Sequence, residues 1–264
     1  MTHQTNPPAD QSAVSLKESV NRQFSQAAPN YATSRVHAAG EDLQEMVRFA
    51  RLSGNERVLD AGCGAGHTAL TFAPHVAEVV AYDLSTAMLA QVDRLAEDRG
   101  LTNIRTKGGD VEALPFTDGR FDLVVSRYSA HHWPAPTRAL NEIRRVLKPG
   151  GSFLLSDIVS FDDFTIDTFL QAIELLRDPS HVRDHTIAQW LTMLSAAGLP
   201  GEMVFSWSVP LEFDPWVTRI HTPAQNVAML RTLLDGAPRE VREALQIQPN
   251  YDYCFAGALF RATA

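Results

Sequence analysis

The sequence predicts an α/β fold: a parallel sheet with helices on both faces, forming one large domain with insertions. Two observations carry this. Strand-like and helix-like patterns alternate along the chain, with five well-marked strands, the order that lays crossover helices onto a parallel sheet. The first of these strands, Val58-Leu59-Asp60-Ala61, runs directly into Gly62-Cys63-Gly64-Ala65-Gly66-His67, and a helix can start at Thr68. Glycine at every second position lets backbone approach a ligand, and the free N–H groups of the helix start face that ligand.

In chain order, residues 1–15 are polar with Pro7-Pro8 and are expected to be disordered. A short helix is expected around Lys17 to Gln23, followed by an aromatic and polar segment from Phe24 to Arg35. Two readings of that segment stand: a helix packed on the sheet edge, or a flap over the bound ligand with Tyr31 and Arg35 reaching its polar end. Glu41 to Leu52 reads as a helix with Leu43, Met46, Val47 and Ala50 on one face, ended by Gly54. Strand 1 is Arg57 to Ala61, and strand 2 is Glu78 to Tyr82 with Asp83 at its exit. Ser85 is a good N-cap for a helix that Gly100 closes. Strand 3, Ile104 to Lys107, leads into Gly108-Gly109-Asp110-Val111, and strand 4, Phe121 to Val125, is apolar enough to be covered on both faces. Ser126 to Trp133 follows it and contains the pair His131-His132. The helix Pro136 to Leu147 ends at Pro149-Gly150-Gly151, and strand 5 is Ser152 to Leu155. Beyond it come an amphipathic helix over Phe161 to Arg177, a capping box at Thr186 to Gln189, strand 6 over Met203 to Val209, a helical insertion over Asp214 to Leu245 and a last strand from Tyr251 to Arg261.

Composition narrows the function. A net charge of −8 argues against a surface that coats nucleic acid, since phosphate binding needs clustered Lys and Arg. No apolar run reaches the length of a membrane span, and no signal-peptide core is present, so a membrane partner is not expected and the expected location is the cytoplasm. The two cysteines, Cys63 and Cys254, lack metal spacing and suit a reducing compartment.

The glycine turn fits the dinucleotide fingerprint G-x-G-x-x-G badly, because the third glycine would fall on His67. The order Asp60-x-Gly62-x-Gly64-x-Gly66 resembles motif I of class I S-adenosylmethionine methyltransferases instead. Asp83, at the end of strand 2, has the place of an acid that accepts hydrogen bonds from ribose hydroxyls, with a plain helix-initiating Asp as the alternative. Together with Gly109-Asp110-Val111-x-x-Leu-Pro-Phe, Phe121-Asp122-Leu123-Val124-Val125-Ser126 and Leu147-Lys148-Pro149-Gly150-Gly151, the pattern over residues 24–157 is similar to the ubiquinone and menaquinone biosynthesis C-methyltransferases. The resemblance implies a Rossmann-like sheet of seven strands, the last antiparallel, in a single domain over 16–264. Within it, 16–52 would be an N-terminal helical flap, and 158–185 and 212–248 would be lid insertions. It implies S-adenosylmethionine as cofactor. Asp60 and the turn holding Gly62, Cys63 and Gly64 would cradle the methionine part, Asp83 the ribose, and Leu84 and Met88 the adenine. Asp110 would accept the adenine amino group, the Val111 N–H would donate to the ring, and the Ser126 carbonyl would face the methionine amino group.

A sulfonium donor brings its own leaving group, so the protein mainly aligns the reactants and excludes water. Where the nucleophile must lose a proton, His is the usual base near neutral pH. His132 is expected to face the site, with His131 supporting the loop; both as structural residues is the alternative. No metal site is expected of this pair. His181, His185 and His221 could line a substrate pocket, and Arg127, Arg177, Arg183 and Arg219 could meet an anionic substrate, though solvated surface is the commoner place for such residues. The expected partner is a small-molecule acceptor and no nucleic acid, with homodimerisation left open. The rival readings are a nucleic-acid amino-methyltransferase, an NAD-linked oxidoreductase and a non-catalytic cofactor-binding protein.

Overall fold

The computed structural model of the chain describes residues 14–32 and 40–264. Arg35, and all but the end of the 1–15 segment read as disordered, lie outside the described residues. The elements in chain order are α1 (Leu16–Ala32), α2 (Glu41–Ala50), β1 (Arg57–Ala61), α3 (His67–Phe72), β2 (Glu78–Asp83), α4 (Thr86–Asp98), β3 (Ile104–Gly108), β4 (Phe121–Arg127), α5 (Pro136–Val146), β5 (Leu147–Val159), α6 (Phe164–Arg177), α7 (Ile187–Ala196), β6 (Gly201–Leu211), α8 (Phe213–Arg219), α9 (Ala224–Asp235), α10 (Arg239–Ala244) and β7 (Tyr253–Thr263). The strands form one sheet in the order β3-β2-β1-β4-β5-β7-β6. Pairing is parallel from β3 to β5, and β7 runs antiparallel to both β5 and β6. The expected seven-stranded, mostly parallel sheet is what the chain forms.

The period-2 alternation of the strands divides the core between two faces. Val58, Val79 and Leu123 pack with Met46, Phe72 and Val92 from α2, α3 and α4. Leu59, Val80 and Val124 pack with Leu140 and Ile143 of α5 and Trp190 and Leu194 of α7 on the other face. A third core, with Leu170, Ile173, Trp216, Leu230 and Val241, joins α6, α8, α9 and α10 to Val209, Tyr253 and Phe255 of the sheet. Strand order reverses between β1 and β4, and the chain exits of those two strands open the crevice where ligands bind in such sheets. Among the described residues no helix is long and apolar enough to cross a membrane.

Several strand and helix ends shift by a few residues from expectation, β4, β6, β7 and α6 among them, and three differences are larger or structural. The short helix and the separate aromatic segment are one helix, α1, which carries Pro29 near its end. Proline costs a helix interior its hydrogen bond, but here the turn is retained because Ala28 and Ala32 pack against Ala65 and Met88. α2 ends earlier, at Arg51, which itself takes the left-handed conformation (φ 52°) assigned to Gly54. β5 begins at Leu147 and not at Ser152, since Leu147 pairs with Phe121 before a register irregularity restores regular pairing at Leu123 and Ser152. The two predicted caps are present: Ser85 Oγ accepts from the Met88 N–H, and Thr186 and Gln189 form a reciprocal capping box.

Candidate active site

A cavity of about 970 Å³ opens at the chain exits of β1, β2 and β4. Its floor is the glycine turn. The N–H groups of Gly62 and Cys63 both donate to the Tyr82 carbonyl, at 2.8 and 3.0 Å, which bends the chain sharply at the end of β1. Gly62 sits at φ +74°, and a Cβ there would lie 2.0 Å from Ser129 Oγ, so the turn admits only glycine at this position. His67, the residue that breaks the dinucleotide pattern, is buried and places Nε2 2.9 Å from the Tyr31 carbonyl, tying α1 to the start of α3.

Asp83 locks the turn to the next strand. Its Oδ2 accepts from the Gly64 N–H and its Oδ1 from the Ser85 N–H, both at 2.8 Å. Burial pushes its carboxyl above the usual range despite those bonds. Asp60 lies beneath the turn, 1% exposed; Oδ2 accepts from the Ala69 N–H at 3.0 Å, while Oδ1 has no hydrogen-bond partner. Burial, reinforced by the neighbouring Asp83 charge, raises its carboxyl to about 7. The floor of the cavity is thus short of donors and of positive charge, which fits a cationic ligand carrying an ammonium and hydroxyl groups. On the far wall Lys17 of α1 reaches Asp110 Oδ2 at 2.5 Å and Glu112 Oε2 at 2.6 Å, so α1 is fastened across the opening. Arg127 is buried and forms a two-pronged ion pair with Asp42 of α2, at 2.5 and 2.9 Å.

A second cavity of about 560 Å³ shares Phe24, Tyr31, Tyr128 and His132 with the first. Tyr128 holds a left-handed backbone (φ 49°), a costly conformation for an aromatic residue that turns the chain at the β4 exit between the two cavities. The remaining wall comes from the insertions and the antiparallel end of the sheet: Glu174 and Arg177 on α6, Trp216 and Arg219 on α8, Val209 and Phe255. Arg177 stacks over the Trp216 ring at 5.0 Å.

The two histidines take different places. His131 Nδ1 lies 2.6 Å from Asp157 Oδ1, and Asp157 Oδ2 also accepts from the Ala130 and His131 N–H groups. Burial alone would lower the His131 pKa, but the Asp157 charge and hydrogen bond outweigh it and raise it to about 9, so the ring is an imidazolium at neutral pH. His132 Nδ1 donates to the Ser180 carbonyl at 3.1 Å, leaving the Nε2 lone pair free of that bond. Burial and the His131 charge lower its pKa to about 4, so it is neutral.

Of the residues singled out in the sequence, Tyr31, Gly62, Cys63, Gly64, Asp83, Leu84, Met88, Asp110, Val111 and His132 line the first cavity. His131 lines the second. Asp60 and Ser126 are buried behind the wall, Ser126 with its Oγ donating to the Ala61 carbonyl. Cys63 is a buried thiol whose pKa burial pushes well up, so it offers backbone and not a nucleophile. Arg177 and Arg219 line the second cavity, whereas Arg183 pairs with Asp167 and none of His181, His185 and His221 lines it. Sequence reasoning missed Lys17, Glu112, Ser129 and Trp133 in the first cavity. Lys17 carried no signal, because its partners lie 93 and 95 positions away.

Residues 59–155 match the methyltransferase domain family. The chain is 39% identical over 227 residues to the uncharacterised methyltransferase YcgJ of Bacillus subtilis, spanning 86% of this chain and 90% of that protein. The crystal structure of YcgJ superimposes with a TM-score of 0.81 at 36% identity, over 84% of this chain and 97% of that one. The uncharacterised protein YafE of Escherichia coli is 43% identical over 188 residues, 71% of this chain and 91% of that protein. A demethylmenaquinone methyltransferase of Thermus thermophilus is 38% identical over 138 residues, 50% of this chain and 62% of that protein. With its glycine turn, its carboxylates and this kinship, the chain belongs to the methyltransferase domain family and is an S-adenosylmethionine-dependent methyltransferase.

Proposed function

We propose that the protein methylates a small, partly apolar acceptor carrying an anionic group, bound in the second cavity. The observation that carries this reading is the shared wall: Phe24, Tyr31, Tyr128 and His132 border both cavities. A donor in the first therefore meets an acceptor in the second across these four side chains.

S-adenosylmethionine supplies an electrophilic methyl group on its sulfonium. The glycine turn and Asp60 hold the methionine part, with the Ser126 carbonyl and Tyr31 toward its polar end, Asp83 accepts from the ribose, and Leu84 and Met88 flank the adenine. Asp110 keeps acceptor capacity on its carboxylate beyond Lys17 and takes the adenine amino group beside the Val111 N–H. In the second cavity Arg219 and Arg177 supply positive charge against an acceptor carboxylate, phenolate or phosphate. Neutral His132 presents Nε2 as the proton acceptor for the nucleophile, while the His131–Asp157 pair fixes the loop that carries it. Segments 158–185 and 212–248 close this space as a lid, which excludes water from the transfer. The closed walls and the net charge of −8 favour a small acceptor over a polynucleotide.

The test is transfer of labelled methyl from S-adenosylmethionine to a panel of phenols, hydroxy acids and carboxylic acids, with RNA and protein as competitors. Label entering an anionic small molecule, with Arg219→Met raising its KM about 10-fold or more, a loss on the scale of a hydrogen bond to a charged group, supports the reading. Label entering only protein or RNA contradicts it.

A further inference from the structure

Behind the wall of the second cavity, α6 and the turn after it bring together Glu174, His181 and Asp184. Each residue is more than nine-tenths buried, and one ligand-capable atom from each lies within 4.8 Å of the others. The hydrogen bonds around them settle what faces what. The Gln171 amide is oriented by the backbone of Asp184: its Nε2 donates to the Asp184 carbonyl at 2.8 Å, and its Oε1 accepts from the Asp184 N–H at 3.1 Å. The same Oε1 lies 3.1 Å from His181 Nε2, which must therefore carry the hydrogen. His181 Nδ1 is left with a lone pair.

His181 Nδ1, Glu174 Oε1 and Asp184 Oδ2 are all buried without a hydrogen-bond partner. All three are acceptors, and a group of buried acceptors with no donor among them carries an unmet desolvation cost. Carboxyl groups also outnumber the cations here: Glu174, Asp178 and Asp184 stand with the guanidiniums of Arg177 and Arg219, since His131 pairs with Asp157 and Arg183 with Asp167.

We infer that Glu174, His181 and Asp184 bind one divalent transition-metal ion, of the zinc, manganese or cobalt kind, in the wall of the second cavity. Two carboxylates and one imidazole without a thiolate are the ligand set such ions take, and three protein ligands leave coordination positions open. Gln171 then acts as the outer partner that fixes the ligating imidazole, a role usually filled by a carbonyl or carboxylate. His181 Nδ1 stands 4.0 Å from Glu174 Oε2, whereas Asp184 Oδ2 lies 3.8 Å from the other ring nitrogen, Nε2, so closing the set around an ion on Nδ1 at roughly 2.1 Å requires the Asp184 carboxyl to swing round the ring. The ion ties α6 to the loop that holds His132 through Ser180, bracing the lid side of the cavity. This inference is independent of which acceptor is methylated.

The experiment uses the full, untagged chain, stripped with chelator and titrated with Co²⁺, read by visible absorption and by the shift in melting temperature; metal content after Zn²⁺ equilibration and dialysis gives the stoichiometry. The expected result is one equivalent of metal, d–d absorption characteristic of mixed nitrogen and oxygen ligands, and a higher melting temperature. The double variant Glu174→Gln/Asp184→Asn keeps every histidine and nearly all volume, and should lose at least 10-fold in Co²⁺ affinity and the melting shift. If that variant is too unstable to titrate, the wild-type spectrum, stoichiometry and melting shift decide alone. A wild-type chain that retains no metal and shows no shift, or a variant that binds Co²⁺ as the wild type does, overturns the inference; protons or water then satisfy the cluster.

Discussion

The two cavities are built by different means. The floor of the first is made of backbone: a turn whose N–H groups, positive φ values and strand-end carboxylates lie within a single strand–helix–strand unit. The second is made of side chains brought from α1, the β4 exit, α6, α8 and the antiparallel strands. The difference teaches where binding chemistry is written. A cavity floor built of backbone leaves a local pattern, because only glycine fits Gly62. A wall built of side chains leaves none, because Glu174, Arg219 and Tyr128 become neighbours only after folding.

The largest expected effect tests how the first cavity is anchored. Asp42→Ala leaves the Arg127 guanidinium buried without its carboxylate, and urea unfolding should show a loss of roughly 3–5 kcal/mol. A loss below 1 kcal/mol would mean that water reaches Arg127. The next test concerns the side-chain half. The His131 pKa is raised from 6.5 to about 9 in the folded chain. Its pairing with Asp157 therefore stabilises fully below about pH 6.5 and fades as the pH rises through about 9, by roughly 3 kcal/mol. Asp157→Asn should flatten that decline in a pH series of melts; an unchanged slope would show that His131 titrates as in the unfolded chain.

Those expectations also mark how much could be read from sequence. The sheet, the glycine turn, Ser85 and the Thr186 capping box were legible, since each depends on residues within a few positions of one another. The sequence divides α1 after Gln23, where an aromatic and polar stretch begins, whereas in the fold one helix runs on through Pro29 with Ala28 and Ala32 packed on Ala65 and Met88. Lys17, fastened to Asp110 and Glu112, and the group of Glu174, His181 and Asp184 had no periodic signature. Arg177 and Arg219 are named in the sequence as possible partners of an anionic substrate, but nothing there shows that they share one wall with Trp216 while Arg183 pairs elsewhere.

A smaller effect sharpens the comparison from the legible side. Thr186→Ala removes the bond to the Gln189 N–H and should cost about 1 kcal/mol, read as a lower melting temperature with unchanged affinity for S-adenosylhomocysteine. Weakened cofactor binding in that variant would mean that the two halves are coupled.

The most direct test is a calorimetric titration with S-adenosylhomocysteine of the wild type, Asp83→Ala and Arg219→Met, with NAD as the control ligand. The wild type should bind S-adenosylhomocysteine and not NAD. Asp83→Ala should bind it roughly 10- to 100-fold more weakly, the scale of hydrogen bonds to a charged group. Arg219→Met should bind it as the wild type does, because that side chain lines only the second cavity. Unchanged affinity in Asp83→Ala, an equal loss in Arg219→Met, or tight NAD binding would contradict the division of the site into a donor cavity and an acceptor cavity.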